Sequence, residues 1–117
     1  MEISCLFRKP KFPILCSLDG YVVAANSMSE FGNIVASIEF KKDDVFPIID
    51  LHGEGWSFYP EYNAISPLTF KKRWFKKEVI DLFNNRTNNK DNILYSEKSI
   101  SNKRFDRLFR DIVNLNP

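Results

Sequence analysis

Apolar and polar positions change their rhythm midway along the chain. In the first half the apolar runs are short and partly alternating, and all four glycines fall there; in the second half apolar residues recur at helical spacing and glycine is absent. Strands first and helices after is the order of an α+β fold. The runs 2–8 and 12–18 are short, apolar and suited to a pleated surface. Pro10 and Pro13 restrict where ladder hydrogen bonds can form, so at least one of these runs is expected at a sheet edge. Asp19-Gly20 then separates ILCSL from YVVAA. That dipeptide readily supplies the two positive φ angles of a type I′ turn, which predicts a hairpin of 13–18 with 21–26.

Ile34, Ala36, Ile38 and Phe40 alternate with Val35, Ser37, Glu39 and Lys41, the pattern of a half-exposed strand. Two more strands are expected at Val45 to Leu51 and Trp56 to Tyr59, the first made irregular or peripheral by Pro47, the two separated by Gly53 and Gly55. Ser66-Pro67 can open a helical turn, and Phe75, Val79, Leu82 and Phe83 predict a helix near 75–85. The polar stretch 84–92 buries too little apolar area to order itself and reads as a mobile surface loop. Phe105, Leu108, Phe109, Ile112 and Val113 form one apolar stripe, with Ser101 the expected N-cap and Ile100 with Phe105 at the spacing of a hydrophobic staple. The expected fold is therefore α+β, an antiparallel meander of five or six strands followed by two helices packed on one face. Residues 1–117 are read as a single domain, strand-rich over 1–62 and helical over 66–117.

Composition narrows the class. At 117 residues, 44% hydrophobic and 27% charged, the chain suits one globular core and loses any compositional case for disorder or membrane residence. Eleven Phe residues predict an aromatic core. The segment MEISCLFRKPKFPIL places basic residues after its first apolar stretch and a Pro inside its second. It fits neither a signal peptide nor a membrane span, and a cytoplasmic location is the expectation. Cys5 and Cys16 lack metal-ligand spacing and read as two reduced, buried thiols. Net charge is only +2, yet residues 1–66 carry 5 basic and 9 acidic groups, while 67–117 carry 12 and 6. The halves, at −4 and +6, point to charged partners.

Three constellations could carry function. Asp50, His52 and Glu54 alternate, so on a straight strand they would share a face as an acid/base set or metal pair requires; Gly53 and Gly55 argue for a turn instead, and no second His exists to complete a zinc site. The run FKKRWFKK interleaves cations with aromatics, as single-strand nucleic-acid binders do, through Lys71, Lys72, Arg73, Trp74, Lys76 and Lys77. The acids Glu39, Asp43, Asp44, Asp50, Glu54 and Glu61 neighbour Trp56 and Tyr59, a combination in which charge steers a basic partner and aromatics hold it. No phosphate loop, nucleophile elbow or paired-Cys zinc spacing is present. A non-enzymatic, cofactor-free and metal-free protein binder is the leading expectation, and a nucleic-acid module the alternative.

The stretch LHGEGWSFYPEYNAISPLTFKKRWFKKEVIDLFNNR, the middle third of the chain, resembles in overall make-up the small bacterial toxin-immunity proteins of the contact-dependent growth inhibition type. That resemblance implies a cytoplasmic, non-catalytic α+β protein that neutralises a basic toxin, often a nuclease, by direct binding. It transfers no individual binding residue.

Overall fold

A computed structural model describes residues 2–116. In chain order the elements are β1 (Ser4–Cys5), β2 (Ile14–Leu18), β3 (Tyr21–Ala25), α1 (Met28–Val35), β4 (Phe46–Ile49), β5 (Gly55–Tyr59), β6 (Ala64–Ser66), α2 (Lys76–Asn84) and α3 (Phe105–Leu115), with 3₁₀ turns at Pro60–Tyr62 and Glu97–Ser99. The six strands form one sheet in the order β1-β6-β5-β4-β2-β3. The hairpin read from Asp19-Gly20 is present, with φ of 53° and 94° at its two turn residues. The sheet is mixed rather than strictly antiparallel, because β1 pairs parallel to β6. It is also not a simple meander, since β2 pairs with β4 across α1.

Alternation along β2 divides the core. Ile14 and Cys16 face one side with Ile48, Trp56, Phe58 and Ile65, where Phe31 and Val35 of α1 pack on them. Leu15 faces the other side with Val22, Ile49 and Leu51, under α2 and α3. Two helices do share one face, as expected, but α1 covers the opposite face and makes three layers. The apolar stripe of α3 is buried at Leu108, Phe109, Ile112 and Val113. Cys5 and Cys16 are both free thiols, Cys5 half-buried and Cys16 buried, where burial pushes the Cys16 thiol well above its ordinary value.

Several local expectations are overturned. Residues 34–41 are not a strand: α1 occupies 28–35, begun by Ser27, whose hydroxyl accepts from the Glu30 N–H at 3.1 Å. The run 2–8 contributes only Ser4 and Cys5 to the sheet. Ser66 ends β6 instead of opening a helix, and its hydroxyl accepts from the Leu68 N–H at 3.1 Å. α3 begins at Phe105 with Arg104 at its cap position, so Ser101 does not cap it.

The Asn-rich segment is held by its own side chains. Asn88 accepts from the Val22 N–H at 3.0 Å and donates to the Val22 carbonyl at 2.9 Å, acting as a strand partner on the free edge of β3. Asn84 makes the same reciprocal pair with Tyr95, and Asn89 with Ile93. Buried Arg86 donates to the carbonyls of Phe83 and Ile93 and stacks on the Phe83 ring. Polar composition ruled out ordering by apolar burial, but not ordering by amide pairs. Asn88→Ala is expected to cost about 1–2 kcal/mol, the net of two lost hydrogen bonds. Amide hydrogen exchange at Val22 should accelerate selectively; unchanged exchange there would contradict the pairing.

Candidate protein interface

Antiparallel register gathers three connections at one end of the sheet. Leu18 pairs with Tyr21 beside the Asp19-Gly20 turn, and Phe46 pairs with Phe58, so the chain entering β4 and the chain leaving β5 lie together. β2 runs antiparallel to β4, which brings the hairpin turn to that same end. These connections carry Asp19, Asp43, Asp44 and Glu61, and Glu39 lies in the segment leading to β4. Asp19, Glu39, Asp43 and Glu61 are exposed. Asp44 accepts from the Lys41 N–H at 2.7 Å and shapes the turn that holds Asp43 at a φ of 69°. Among the described residues none of these five acids forms a salt bridge. Lys41 and Lys42 share this end, leaving acids in excess. Tyr21 and Tyr62 stand exposed beside them.

An apolar groove of about 590 Å³ adjoins the acidic end. Its floor is the part of the sheet face that α2 and α3 leave uncovered, with Pro47 on β4 and Ser57 and Tyr59 on β5. Its wall forms because the chain leaves the sheet after Ser66 and returns at Arg73, which bridges Glu54 in antiparallel fashion. Glycine is required at position 55, because a Cβ there would collide with the Lys71 carbonyl as the returning chain passes. Between these points Leu68 and Phe70 project as large exposed apolar side chains, Phe70 fully so. Tyr59 fixes the wall by donating its hydroxyl to the Leu68 carbonyl at 2.8 Å.

The opposite end of the sheet disposes of the acid/base expectation. Asp50 is buried, with Oδ1 accepting from the N–H groups of His52 and Glu54 and Oδ2 from Lys11 N–H and Trp56 Nε1–H. Both its oxygens are thus occupied by groups of the fold. His52 is exposed, and Glu54 pairs with Arg8 through both carboxylate oxygens. That hydrogen-bonded guanidinium holds the Glu54 carboxyl below the usual carboxylate range. The three side chains therefore go to three different environments. Among the described residues no group of three His, Cys, Asp or Glu side chains is placed to hold a metal ion.

Burial also corrects the expected contact set. Trp56 is 1% exposed and packs in the core, so it and Asp50 are not surface groups. Tyr59 is half-buried with its hydroxyl committed to the groove wall, while Glu54 is neutralised by Arg8. Glu39, Asp43, Asp44 and Glu61 remain available. Val45, Leu68 and Phe70 are surface groups that sequence reasoning did not assign to this site. A full-length Phe within a cationic run was the available signal, but periodicity could not tell a core anchor from an exposed one.

The basic run is dispersed by the fold. Lys71 pairs with Glu78, Lys77 with Glu97 and Asp81, and Lys76 donates to the Ile100 carbonyl at 2.7 Å. Arg73 donates to the His52 carbonyl, and Trp74 turns inward to the core under α2 and α3. Lys72 is left exposed, with Phe70 and Phe75 as exposed aromatics of the run. No helix among the described residues is long and apolar enough to cross a membrane. The chain matches no family model, and no match was found among curated proteins or solved structures.

Proposed function

We propose that this is a non-enzymatic protein-binding domain whose partner presents a basic surface to the acidic end of the sheet. One observation carries the reading: among the described residues the acids at that end form no salt bridge, and they border an open apolar groove, whereas most cations of the rival nucleic-acid run are engaged within the fold. Unpaired surface charge can accelerate encounter, and exposed aromatic area can supply the hold. In its finer form the proposal is an immunity protein that neutralises a basic toxin domain, such as a nuclease, in the cytoplasm by direct binding. The chemistry at the acidic end suits such a partner and needs no cofactor.

Co-expression with the product of the adjacent gene, purification of the complex and measurement of both rate constants test this. Replacing Asp43, Asp44 and Glu61 together by Lys should slow association about tenfold or more at low salt and flatten its salt dependence. Dissociation should change far less. A complex whose association rate is indifferent to the triple reversal would reject the acidic end as the docking surface.

A further inference from the structure

We propose that the groove over β4 and β5 receives an extended segment of the partner in which large apolar side chains alternate with Lys or Arg. This rests on the reading of the domain as a binder of basic protein surface and narrows that reading to one occupant. The floor is apolar, and its volume of about 590 Å³ falls within the roughly 300–1,000 Å³ of sites that enclose drug-sized groups. The wall is built in advance, with Leu68 fixed through its N–H to Ser66 and through its carbonyl to Tyr59. Such preorganisation removes part of the ordering cost of binding. Phe70 is fully exposed and so contributes nothing to the fold's own burial, which leaves its whole ring area for a partner.

Charge selects what lies beside the apolar groups. Val45, on one side of the groove, directly follows Asp43 and Asp44, and Tyr59, on the floor, precedes Glu61 by two residues. The lining cation, Lys71, is neutralised by Glu78. An extended segment puts alternate side chains on opposite sides, so its apolar set can enter the groove while its cations face solvent, where the long, flexible stems of Lys or Arg let their charges reach toward the acids at the groove's end. Lys41 and Lys42 stand at the same end, beside Glu61, but the five carboxylates there outnumber them, so an acidic segment would meet a net negative rim and a purely apolar one would leave it unused.

Selection of random peptides displayed against the purified full chain tests the inference. Enriched peptides should carry two or more large apolar residues interleaved with Lys or Arg. Synthetic copies should bind at least about tenfold more weakly to Phe70→Asp, an anchor-scale effect, with the melting temperature of that variant unchanged. Absence of enrichment, enrichment of acidic or uniformly apolar peptides, or binding indifferent to both Phe70→Asp and Leu68→Asp would overturn it. Displacement of the peptides by oligo(dT) in a Phe70-dependent manner would also overturn it, in favour of base stacking. If the adjacent-gene product associates more slowly with the triple charge reversal yet ignores Phe70→Asp and Leu68→Asp, the groove inference falls and the acidic-end reading stands. If peptides are selected as stated but the triple reversal leaves that partner's association rate unchanged, the groove stands and the acidic-end reading falls.

Discussion

Asp50→Ala is expected to destabilise the domain by about 3 kcal/mol or more, because it strips four N–H donors of their acceptor at once. Lys11, His52 and Glu54 offer backbone N–H groups to the carboxylate and Trp56 its indole N–H, at 2.9 to 3.2 Å. Each buried donor left unpaired costs about 1–3 kcal/mol, less where water enters the space that Ala leaves. The lost bonds join the approach to β2, the 50–54 turn and β5, so their removal loosens three segments together. Asp50→Asn should fall between the two, since its single carbonyl oxygen can serve one pair of donors while its NH₂ faces the other. Urea melts followed by Trp fluorescence measure both variants, and the Ala variant should also melt about 10 °C or more below the parent. A loss under about 1 kcal/mol for Asp50→Ala would mean that the carboxylate is not the organiser of this turn.

The same residue marks what the sequence could and could not disclose. Alternation of Asp50, His52 and Glu54 suggested a shared face, and the two glycines suggested a turn; the turn prevailed. Gly53 takes a φ of 81°, and Asp50 folds back on the N–H groups that follow it, an arrangement short polar side chains favour in turns. Elements with strong local signals were legible: the Asp-Gly hairpin, β4, β5, and the apolar stripes of α2 and α3. The parallel β1–β6 pair was not, because pairing across about 60 residues (Ser4 with Ala64) leaves no local trace. Asp43, Asp44 and Glu61 were legible as surface acids from their turn-rich context. Their assembly at one end, and the groove beside them, depend on strand order. Trp56 follows an acid and two turn glycines, which suggests a surface contact, but on β5 it shares the inward face with Phe58.

In α1, strand-like alternation and helical spacing compete over the same stretch of chain, and helical spacing prevails. Ile34, Ala36, Ile38 and Phe40 alternate as a strand would, yet Ser27 and Glu30 already stand at N-cap and third-position spacing, with Met28, Phe31 and Val35 at helical intervals behind them. The helix prevails because it buries Phe31 edge-on against Phe58 at 5.0 Å between ring centroids. Phe40, beyond the helix, meets the same Phe58 ring at 5.7 Å. Phe31→Ala and Phe58→Ala should each cost about 3–5 kcal/mol, as for other fully buried Phe truncations. The double mutant should cost less than the sum by about 0.5–1.5 kcal/mol, the coupling of an edge-to-face pair. Were 34–41 a strand with 27–33 an exposed connection, Phe31→Ala would stay within about 0.5 kcal/mol and show no coupling to Phe58. Denaturant melts of the three variants separate these cases. They also bear on the proposed interface, because α1 is what seals the sheet face opposite the groove; a loosened α1 would expose Phe58 and Ile65, a second apolar surface that would compete with Leu68 and Phe70 for the proposed partner.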